Sequence, residues 1–197
     1  MNRLHLSSGF VRQSLVGLKL LVVMTVVLGV VYPAAVWGIS QTAFHEKANG
    51  QIVSVDGKDV GSKLIGQNFA TKDDDLFHGR PSAGDYDGLA SAPSNLGPSN
   101  PDLLSAIKKR QATIAAIEGV DVADIPADAV TASGSGLDPY ISPEYARLQV
   151  PRVAKARGLT TGAIEKLVAD HTDGRQLGFL GEPKVNVLEL NLALPDR

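Results

Sequence analysis

Residues 130–143, VTASGSGLDPYISP, bring together the glycines, hydroxyl groups and carboxylate that catalytic and phosphate-binding loops use. Gly134 and Gly136 are the immediate neighbours of Ser135, whereas the nucleophile elbow of serine hydrolases has one residue between each glycine and the serine. The chain also lacks the glycine-to-lysine signature of phosphate-binding loops. We therefore predict a preformed loop, in which both glycines permit backbone conformations that other residues avoid and Asp138-Pro139 stiffens the turn.

Metal-ligating side chains do not cluster along the sequence. No two of the histidines His5, His45, His78 and His171 have the i, i+4 spacing of helical zinc ligands. Without cysteine the chain has no thiolate ligand, thiol nucleophile or disulfide. The acidic run at 73–75 lacks the alternation of a calcium-binding loop, so it is interpreted as a solvated surface turn, with a divalent-cation site as the alternative.

The first structural element of the chain is an apolar segment near the N-terminus. From Leu20 to Phe44 the chain carries no charged side chain, and about 20 apolar residues in a helix cross the hydrocarbon core of a bilayer. Only a helix satisfies the backbone of a single span in lipid. We expect a cytoplasmic N-terminus over 1–14, a transmembrane helix over 15–43 and a soluble periplasmic domain over 44–197.

The flanking charges predict the orientation of this span. Arg3, Arg12 and Lys19 precede the uncharged segment that begins at Leu20, and the first acid is Glu46. The positive flank of a span stays in the cytoplasm. The alternative is a cleaved signal peptide, because residues 33–35 are small near a plausible cleavage point. The apolar run exceeds the roughly 7–15 residues of a signal core, which favours a retained anchor in the cell inner membrane.

The apolar segment from Leu20 to Phe44 offers no ion pathway of its own, since it contains no charged residue. Ala34 and Gly38 form a small-x-x-x-small pair, a spacing that permits close approach of another helix or of membrane lipid and that also arises by chance. Three of the 19 basic residues precede the span and all 21 acids follow it, so the remainder carries a net charge of about −5. No basic stripe is present, which excludes nucleic acid as a partner.

The residues that follow the span predict a single domain of mixed α and β structure, an α+β fold. Residues 51–55 and Asp56-Gly57 predict a strand and a hairpin turn, with 60–69 as the returning strand. The Asp-, Gly-, Ser-, Pro- and Asn-rich residues 71–100 predict a long ordered loop. Capping residues, apolar spacing and terminal glycines predict three helices: from the cap Asn100 to Gly119, from Ser142 to Gly158, and from Thr160 to His171.

The C-terminal residues 184–194, KVNVLELNLAL, predict a strand. The alternation of apolar and polar residues shifts phase at Val187-Leu188. Beyond this point alternate leucines share one face: Leu188, Leu190, Leu192 and Leu194. We expect either a bulge at the phase shift or a strand that is buried on both sides.

Six blocks of the sequence, in order, resemble one bacterial family. They are GSKLIGQNF at 61–69, FHGRPSA at 77–83, SNLGPSNPDL at 94–103, TASGSGLDPYISPE at 131–144, QVPRVAKAR at 149–157 and DGRQLGFLGEPKVNVLELN at 173–191. In these blocks the chain is similar to the C subunit of the Kdp potassium-transporting ATPase. The resemblance covers nearly the whole chain, including the N-terminal span.

The resemblance implies a non-catalytic subunit of a membrane assembly. In that family a P-type ATPase subunit hydrolyses ATP, potassium enters through a channel-like potassium-binding subunit, and a small hydrophobic peptide is sometimes attached. The C subunit is described there as needed for assembly and as a catalytic chaperone that raises the ATP affinity of the pump subunit. The sequence agrees in lacking the Asp-Lys-Thr-Gly-Thr phosphorylation motif of P-type pumps.

The family description includes a nucleotide contact on the C subunit, which conflicts with a periplasmic domain. We therefore expect an indirect effect on ATP affinity, through the conformation of the assembly, with no cofactor bound firmly by this chain and ATP held by the ATPase subunit. For a direct nucleotide contact the candidates are the Gln149 amide and the backbone amides of Ser133, Gly134, Ser135 and Gly136. No catalytic residue and no metal ligand is predicted.

Two other classes of function stay open. A membrane-anchored periplasmic enzyme would need convergent Ser, His and Asp side chains, for which Ser135 and His171 are the residues to replace. A binding module would be stable without partners. On the favoured hypothesis, loop 130–143 holds the helix after it and meets the channel-like subunit near its outer mouth, where an acidic surface raises the local cation concentration.

Overall fold

The computed structural model describes residues 3–69 and 75–195. This part of the chain forms two compact units, one ending at Gln51 and the other beginning at Ile52. The first unit is built from helices, and the second combines helices with two small antiparallel sheets. The predicted α+β class with one N-terminal apolar helix is therefore confirmed.

The first unit has the length and composition of a membrane span. Its elements are α1 (Arg3–Val26), a π-helical turn (Val27–Val31), α2 (Tyr32–Ala43) and the short α3 (His45–Ala48). Over Gly9–Ala43 the helix is apolar enough to cross a membrane, and none of its most apolar window is buried within the structure. This length and composition are typical of a single membrane-spanning anchor.

The π-helical turn lies directly before Pro33. Proline has no N–H to donate and its ring crowds the carbonyl four residues earlier. The N–H of Tyr32 donates to the carbonyl of Val27, five residues earlier, instead of four. The wider turn thus carries the helix past the proline without a break.

The second unit opens with the predicted hairpin of β1 (Ile52–Val55) and β2 (Lys58–Ser62), which pair antiparallel. Asp56 and Gly57 join them with φ angles of 51° and 76°, as a type I′ turn requires. The hairpin prediction is confirmed at the turn.

The returning strand is shorter than predicted, because it ends at Ser62 and not at Phe69. β1 begins only at Ile52, which pairs with Ser62, so no residues remain for a longer β2 to pair with. The chain then turns away, and the N–H of Gly66 donates to the carbonyl of Leu137 at 2.8 Å. Residues after Ser62 therefore pack against loop 130–143.

The three predicted helices are confirmed, each beginning after the expected cap. They are α4 (Pro101–Glu118), α6 (Pro143–Arg157) and α7 (Thr161–Asp170), and a one-turn helix α5 (Ala127–Val130) and a 3-10 turn (Val122–Asp124) lie between α4 and α6. The cap side chains accept the N–H three or two residues ahead: Asn100 from Asp102, Ser142 from Tyr145 and Thr160 from Ala163.

The predicted C-terminal strand is wrong over most of its length. Only β5 (Lys184–Asn186) is extended, and α8 (Val187–Leu192) begins where the alternation shifts phase. The side chain of Asn186 caps this helix by accepting the N–H of Glu189 at 3.2 Å. The buried residues lie on one side of a helix, namely Val187, Leu188, Leu190, Asn191 and Leu194.

A three-stranded antiparallel sheet, in the order β3-β5-β4, adds β3 (Tyr140–Ile141) and β4 (Thr172–Asp173) to β5. Between β4 and β5 the chain leaves the sheet as a projection, residues 174–183, which we call the arm. Every residue from Asp173 to Glu182 is exposed. The arm therefore packs against none of the core.

The core of the second unit is centred on α6. Its buried face packs against α7, β5 and α8 and against the segment that carries Phe77, which has no exposed surface. The most deeply buried apolar side chains include Phe77, Val150, Val153, Ile164, Val168, Val185 and Leu190. The segment that carries Phe77 and His78 therefore crosses the core beside α6.

The predicted long loop is confirmed for residues 75–100, which contain no helix or strand. Asp73 and Asp74 of the acidic run lie outside the described residues. Asp75 differs from the solvated turn that was expected, because its carboxylate lies 3.4 Å from Arg157 and is 20% exposed. The carbonyl of Asp75 also accepts from Arg157 Nε at 3.0 Å, so this end of the loop is fixed to α6.

Candidate functional site

Loop 130–143 is held on both sides by the segment that precedes α4. The N–H of Ser133 donates to the carbonyl of Pro81 at 3.1 Å. In return, the hydroxyl of Ser82 donates to the carbonyl of Gly136 at 2.7 Å, and that of Ser91 to the carbonyl of Ser135 at 3.0 Å. These bonds confirm a preformed loop, since it is ordered by the chain itself.

The carboxylate of Asp138 fixes the exit of the loop. It pairs with Arg80 at 3.1 Å, both side chains being about one-quarter exposed. Its other oxygen accepts the N–H of Tyr140 at 3.0 Å, so the same carboxylate sets the start of β3. Asp138 acts here as a structural link between two segments.

Tyr86 packs into the bend that faces this loop. A Cβ at Gly66 would lie 2.7 Å from Tyr86 Cε1, and one at Gly79 would lie 2.7 Å from its hydroxyl. The hydroxyl donates to the carbonyl of Arg80. Burial, with a smaller contribution from the charge of Asp138, raises the pKa of Tyr86 to about 12, so the phenol stays protonated and donates at neutral pH.

The two glycines of the loop differ in backbone conformation and in the space around them. Gly136 has a φ of +70°, and a Cβ there would lie 2.9 Å from the carbonyl oxygen of Ala92. Gly134 has no such φ, and a Cβ there would meet nothing within 4 Å. Only Gly136 therefore uses the conformational freedom that both glycines permit, because the turn needs one left-handed residue.

This difference gives a matched pair of substitutions. Gly136→Ala is expected to lower the free energy of unfolding by about 1–2 kcal/mol, the cost of a left-handed residue with a side chain, and to displace Ala92 as well. Gly134→Ala should stay within about 0.5 kcal/mol of wild type. Urea unfolding of the full chain in detergent, followed by near-ultraviolet circular dichroism, measures both. Equal effects would contradict the assignment of the turn to Gly136.

Gln149, the predicted adenine contact, lies inside the second unit with no exposed surface. Its Oε1 accepts the N–H of His78 at 2.7 Å, and its Nε2 donates to the carbonyl of the same residue at 3.1 Å. Oε1 also accepts from Arg152 at 2.9 Å. The hydrogen-bonding edge proposed for a nucleotide is thus used within the protein.

Asn191 repeats this arrangement one residue earlier in the same segment. Its Oδ1 accepts the N–H of Phe77 at 2.7 Å, and its Nδ2 donates to the carbonyl of Phe77 at 2.9 Å. Gln149 on α6 and Asn191 on α8 therefore bind the backbone of two consecutive residues, and we call the pair the amide clamp. It satisfies backbone groups that cross the core outside any sheet.

Arg152 and Glu118 form a buried ion pair between α6 and α4. Arg152 Nε lies 2.9 Å from Glu118 Oε1, and the two side chains are 9% and 2% exposed. The same guanidinium donates to the carbonyl of Leu76 at 2.9 Å and to Gln149, so one side chain joins the helix pair to the clamped segment.

The structure does not bring the five predicted site residues into one pocket. Ser133, Gly134 and Ser135 line an open surface pocket of about 500 Å³ together with Leu64, Ile65 and Tyr140, whereas Gln149 is buried in the core. Of the four backbone amides proposed as a cradle, those of Ser133 and Gly136 donate to the carbonyls of Pro81 and Ser133.

A second cavity, of about 530 Å³, lies between α4 and residues 78–86 and was not predicted. Its lining includes three basic side chains, Arg80, Lys109 and Arg110. Arg80 pairs with Asp138, and Arg110 donates to the carbonyl of Val130 at 3.0 Å. Two of the three positive charges are thus engaged within the protein, and charge spacing along the sequence gave no sign of this grouping.

The residues of the enzyme alternative are each engaged in local structure. Ser135 Oγ accepts the N–H of Leu137 at 3.0 Å, and His171 Nδ1 lies 2.9 Å from the carbonyl of Leu167 at the end of α7. Among residues 3–69 and 75–195, no three His, Asp or Glu side chains come together so as to hold a metal ion.

Comparison with known proteins covers nearly the whole chain. A family described as "K+-transporting ATPase, c chain" matches residues 14–196. The potassium-transporting ATPase KdpC subunit of Kineococcus radiotolerans is 56% identical over 189 residues, 95% of each chain. The proteins of the same description from Mycobacterium tuberculosis and Dechloromonas aromatica are 53% identical over 187 residues (93% of this chain, 97% of the relative) and 51% over 179 (89% and 93%).

Proposed function

Because the chain belongs to the KdpC family of potassium-transporting ATPase subunits, we propose that it is a non-catalytic subunit of an ATP-driven potassium uptake complex and is needed for assembly of that complex. The observation that carries this proposal is the family match over residues 14–196. Support from the structure comes from an N-terminal helix that suits a membrane anchor and from Gln149, Ser135 Oγ and the amides of Ser133 and Gly136, which are used in internal hydrogen bonds.

The effect on nucleotide is proposed to be indirect. The chain favours one conformation of the assembly, and the P-type ATPase subunit binds ATP more tightly in that conformation. Support comes from Gln149, whose amide edge is bonded to His78 and Arg152 and is not displayed on the surface. The loop of Ser133 to Gly136 serves instead to hold α6 and to face the channel-like subunit.

Assembly is tested by removing this chain from cells that express the other subunits. Without it we expect little intact complex on native gels and loss of potassium uptake at low external potassium, with both restored by re-expression. Expression of the Gly134→Ala chain is the matched control, because that site tolerates a Cβ. Intact, active complex in cells that lack the chain would contradict the proposal.

The proposed orientation places the second unit outside the cytoplasm, on the basis of the basic residues that precede the span. The natural chain has no cysteine, so Ser105→Cys, on the exposed side of α4, introduces a single reactive site. An impermeant maleimide is expected to label Ser105→Cys in intact cells and Ser7→Cys only after lysis. The reverse pattern would place the second unit in the cytoplasm and restore a direct nucleotide contact as the better proposal.

A further inference from the structure

We propose that the arm, residues 174–183, is a docking element whose apolar side chains Leu177, Phe179 and Leu180 insert into an apolar recess on another subunit of the assembly. The inference rests on the proposed function, since it assumes a partner. These side chains are 84%, 69% and 48% exposed, and clustered apolar exposure of this kind marks interaction surfaces.

Leu177 is unfavourable in this chain in two independent ways. It is largely exposed, and its φ is +53°, a left-handed conformation in which a leucine side chain is strained and for which turns use Gly, Asn or Asp. The hydrogen bonds of the turn hold the backbone, but the Leu177 side chain stays 84% exposed. Local strain at an exposed apolar residue is expected where a partner supplies the missing burial.

The arm holds its shape without packing on the core. Gln176 and Leu180 exchange two backbone hydrogen bonds of 2.9 Å, and the N–H of Gly178 donates to the carbonyl of Arg175 at 3.1 Å. At its base Arg175 pairs with Glu182 at 2.6 Å. A turn that is already ordered loses little conformational freedom on binding. More of the free energy from burial of the three apolar side chains therefore contributes to affinity.

The charges at the base favour a protein partner over the bilayer surface. Short apolar elements that lie on membranes combine aromatic or aliphatic residues with surplus Lys and Arg, which bind anionic headgroups. Residues 173–184 carry two acids, Asp173 and Glu182, and two bases, Arg175 and Lys184, and Arg175 is paired with Glu182. An apolar tip flanked by balanced charge matches the centre and rim of a protein interface.

The test uses the full chain and the remaining subunits of the complex. Leu177→Asn removes the apolar side chain and supplies a residue that accepts positive φ. We expect roughly tenfold or greater weakening of association in a pull-down titration, while the melting temperature of the chain alone is unchanged or higher. Leu89→Asn is the matched control, because Leu89 is fully exposed elsewhere in the second unit, and it should associate as wild type does.

A fluorescent reporter distinguishes a protein recess from lipid. Phe179→Trp is made in a Trp37→Phe background, which removes the one native tryptophan, and the chain is placed in nanodiscs. The emission should be that of a water-exposed indole until the other subunits are added, and should then shift to the blue. A blue shift in lipid alone, or association of Leu177→Asn equal to wild type, would overturn the docking role. Failure of wild type itself to associate would instead remove the proposed function.

Discussion

Replacement of Gln149 by leucine is expected to lower the free energy of unfolding of the second unit by about 3 kcal/mol. Leucine fills much of the same space, but the N–H and the carbonyl of His78 both lose their partners in the core, and each unsatisfied buried polar group costs about 1–3 kcal/mol. The contact with Arg152 is lost as well. An Asn191→Leu exchange should have a similar effect through Phe77.

Urea unfolding of the full chain in detergent, followed by near-ultraviolet circular dichroism, measures this change. Gln111→Leu provides the control, because Gln111 is a partly exposed glutamine on α4 whose replacement should cost about 0.5 kcal/mol or less. A Gln149→Leu chain as stable as this control would show that the clamp is not needed for folding.

Replacement of Arg152 by methionine is expected to destabilise the second unit by about 3–5 kcal/mol, the usual result of leaving one member of a buried ion pair behind. Glu118, 2% exposed, would keep its charge in the core without the guanidinium. The carbonyl of Leu76 would also lose its 2.9 Å donor. The loss therefore combines an unbalanced charge with an unsatisfied backbone group.

The double exchange Arg152→Met, Glu118→Gln separates these contributions. Removing both charges should recover part of the stability that the single exchange loses. Arg147→Ala is the control, because Arg147 and Glu144 are 63% and 68% exposed and 3.8 Å apart, and such surface pairs contribute at most about 1 kcal/mol. A loss for Arg152→Met as small as that for Arg147→Ala would show that water reaches Glu118.

Local signals in the sequence were sufficient to predict the helices that begin at a capping side chain and the hairpin that turns at Asp56-Gly57. Asn100, Ser142 and Thr160 each accept an N–H of the first turn, and Asp56-Gly57 fixes its turn by its own φ preference. Such features depend on residues a few positions apart, so no knowledge of tertiary contacts was required to place α4, α6, α7 and the hairpin.

The C-terminal prediction failed because two periodicities overlap in the same residues. Alternate leucines favour a strand, while Val187, Leu190, Asn191 and Leu194 have the spacing of a helix that is buried on one side. The deciding signal was Asn186 three residues before Glu189, a start of the capping-box kind. The cap outweighs the alternation because it satisfies a backbone N–H at the point where pairing with β3 ends.

The amide clamp and the ion pair could not be predicted, since they join residues far apart in sequence. Phe77 and Asn191 are separated by 114 positions, and His78 and Gln149 by 71. The only signal of the clamp in the sequence was the presence of a glutamine and an asparagine among the apolar residues of the segments that form α6 and α8. Polar residues at such positions are typical of buried groups that satisfy a nearby backbone, a more frequent role than ligand binding.

The π-helical turn before Pro33 divides the membrane helix into two segments with different rotational phase. Each residue of an α-helix turns the chain by about 100°, and a π turn inserts one extra residue. Side chains of α2 therefore face about 100° away from where a count along α1 would place them. Ala34 and Gly38 belong to the second phase, so a neighbouring helix that follows α1 meets a different face of α2, and a one-residue deletion within 27–31 would realign the two.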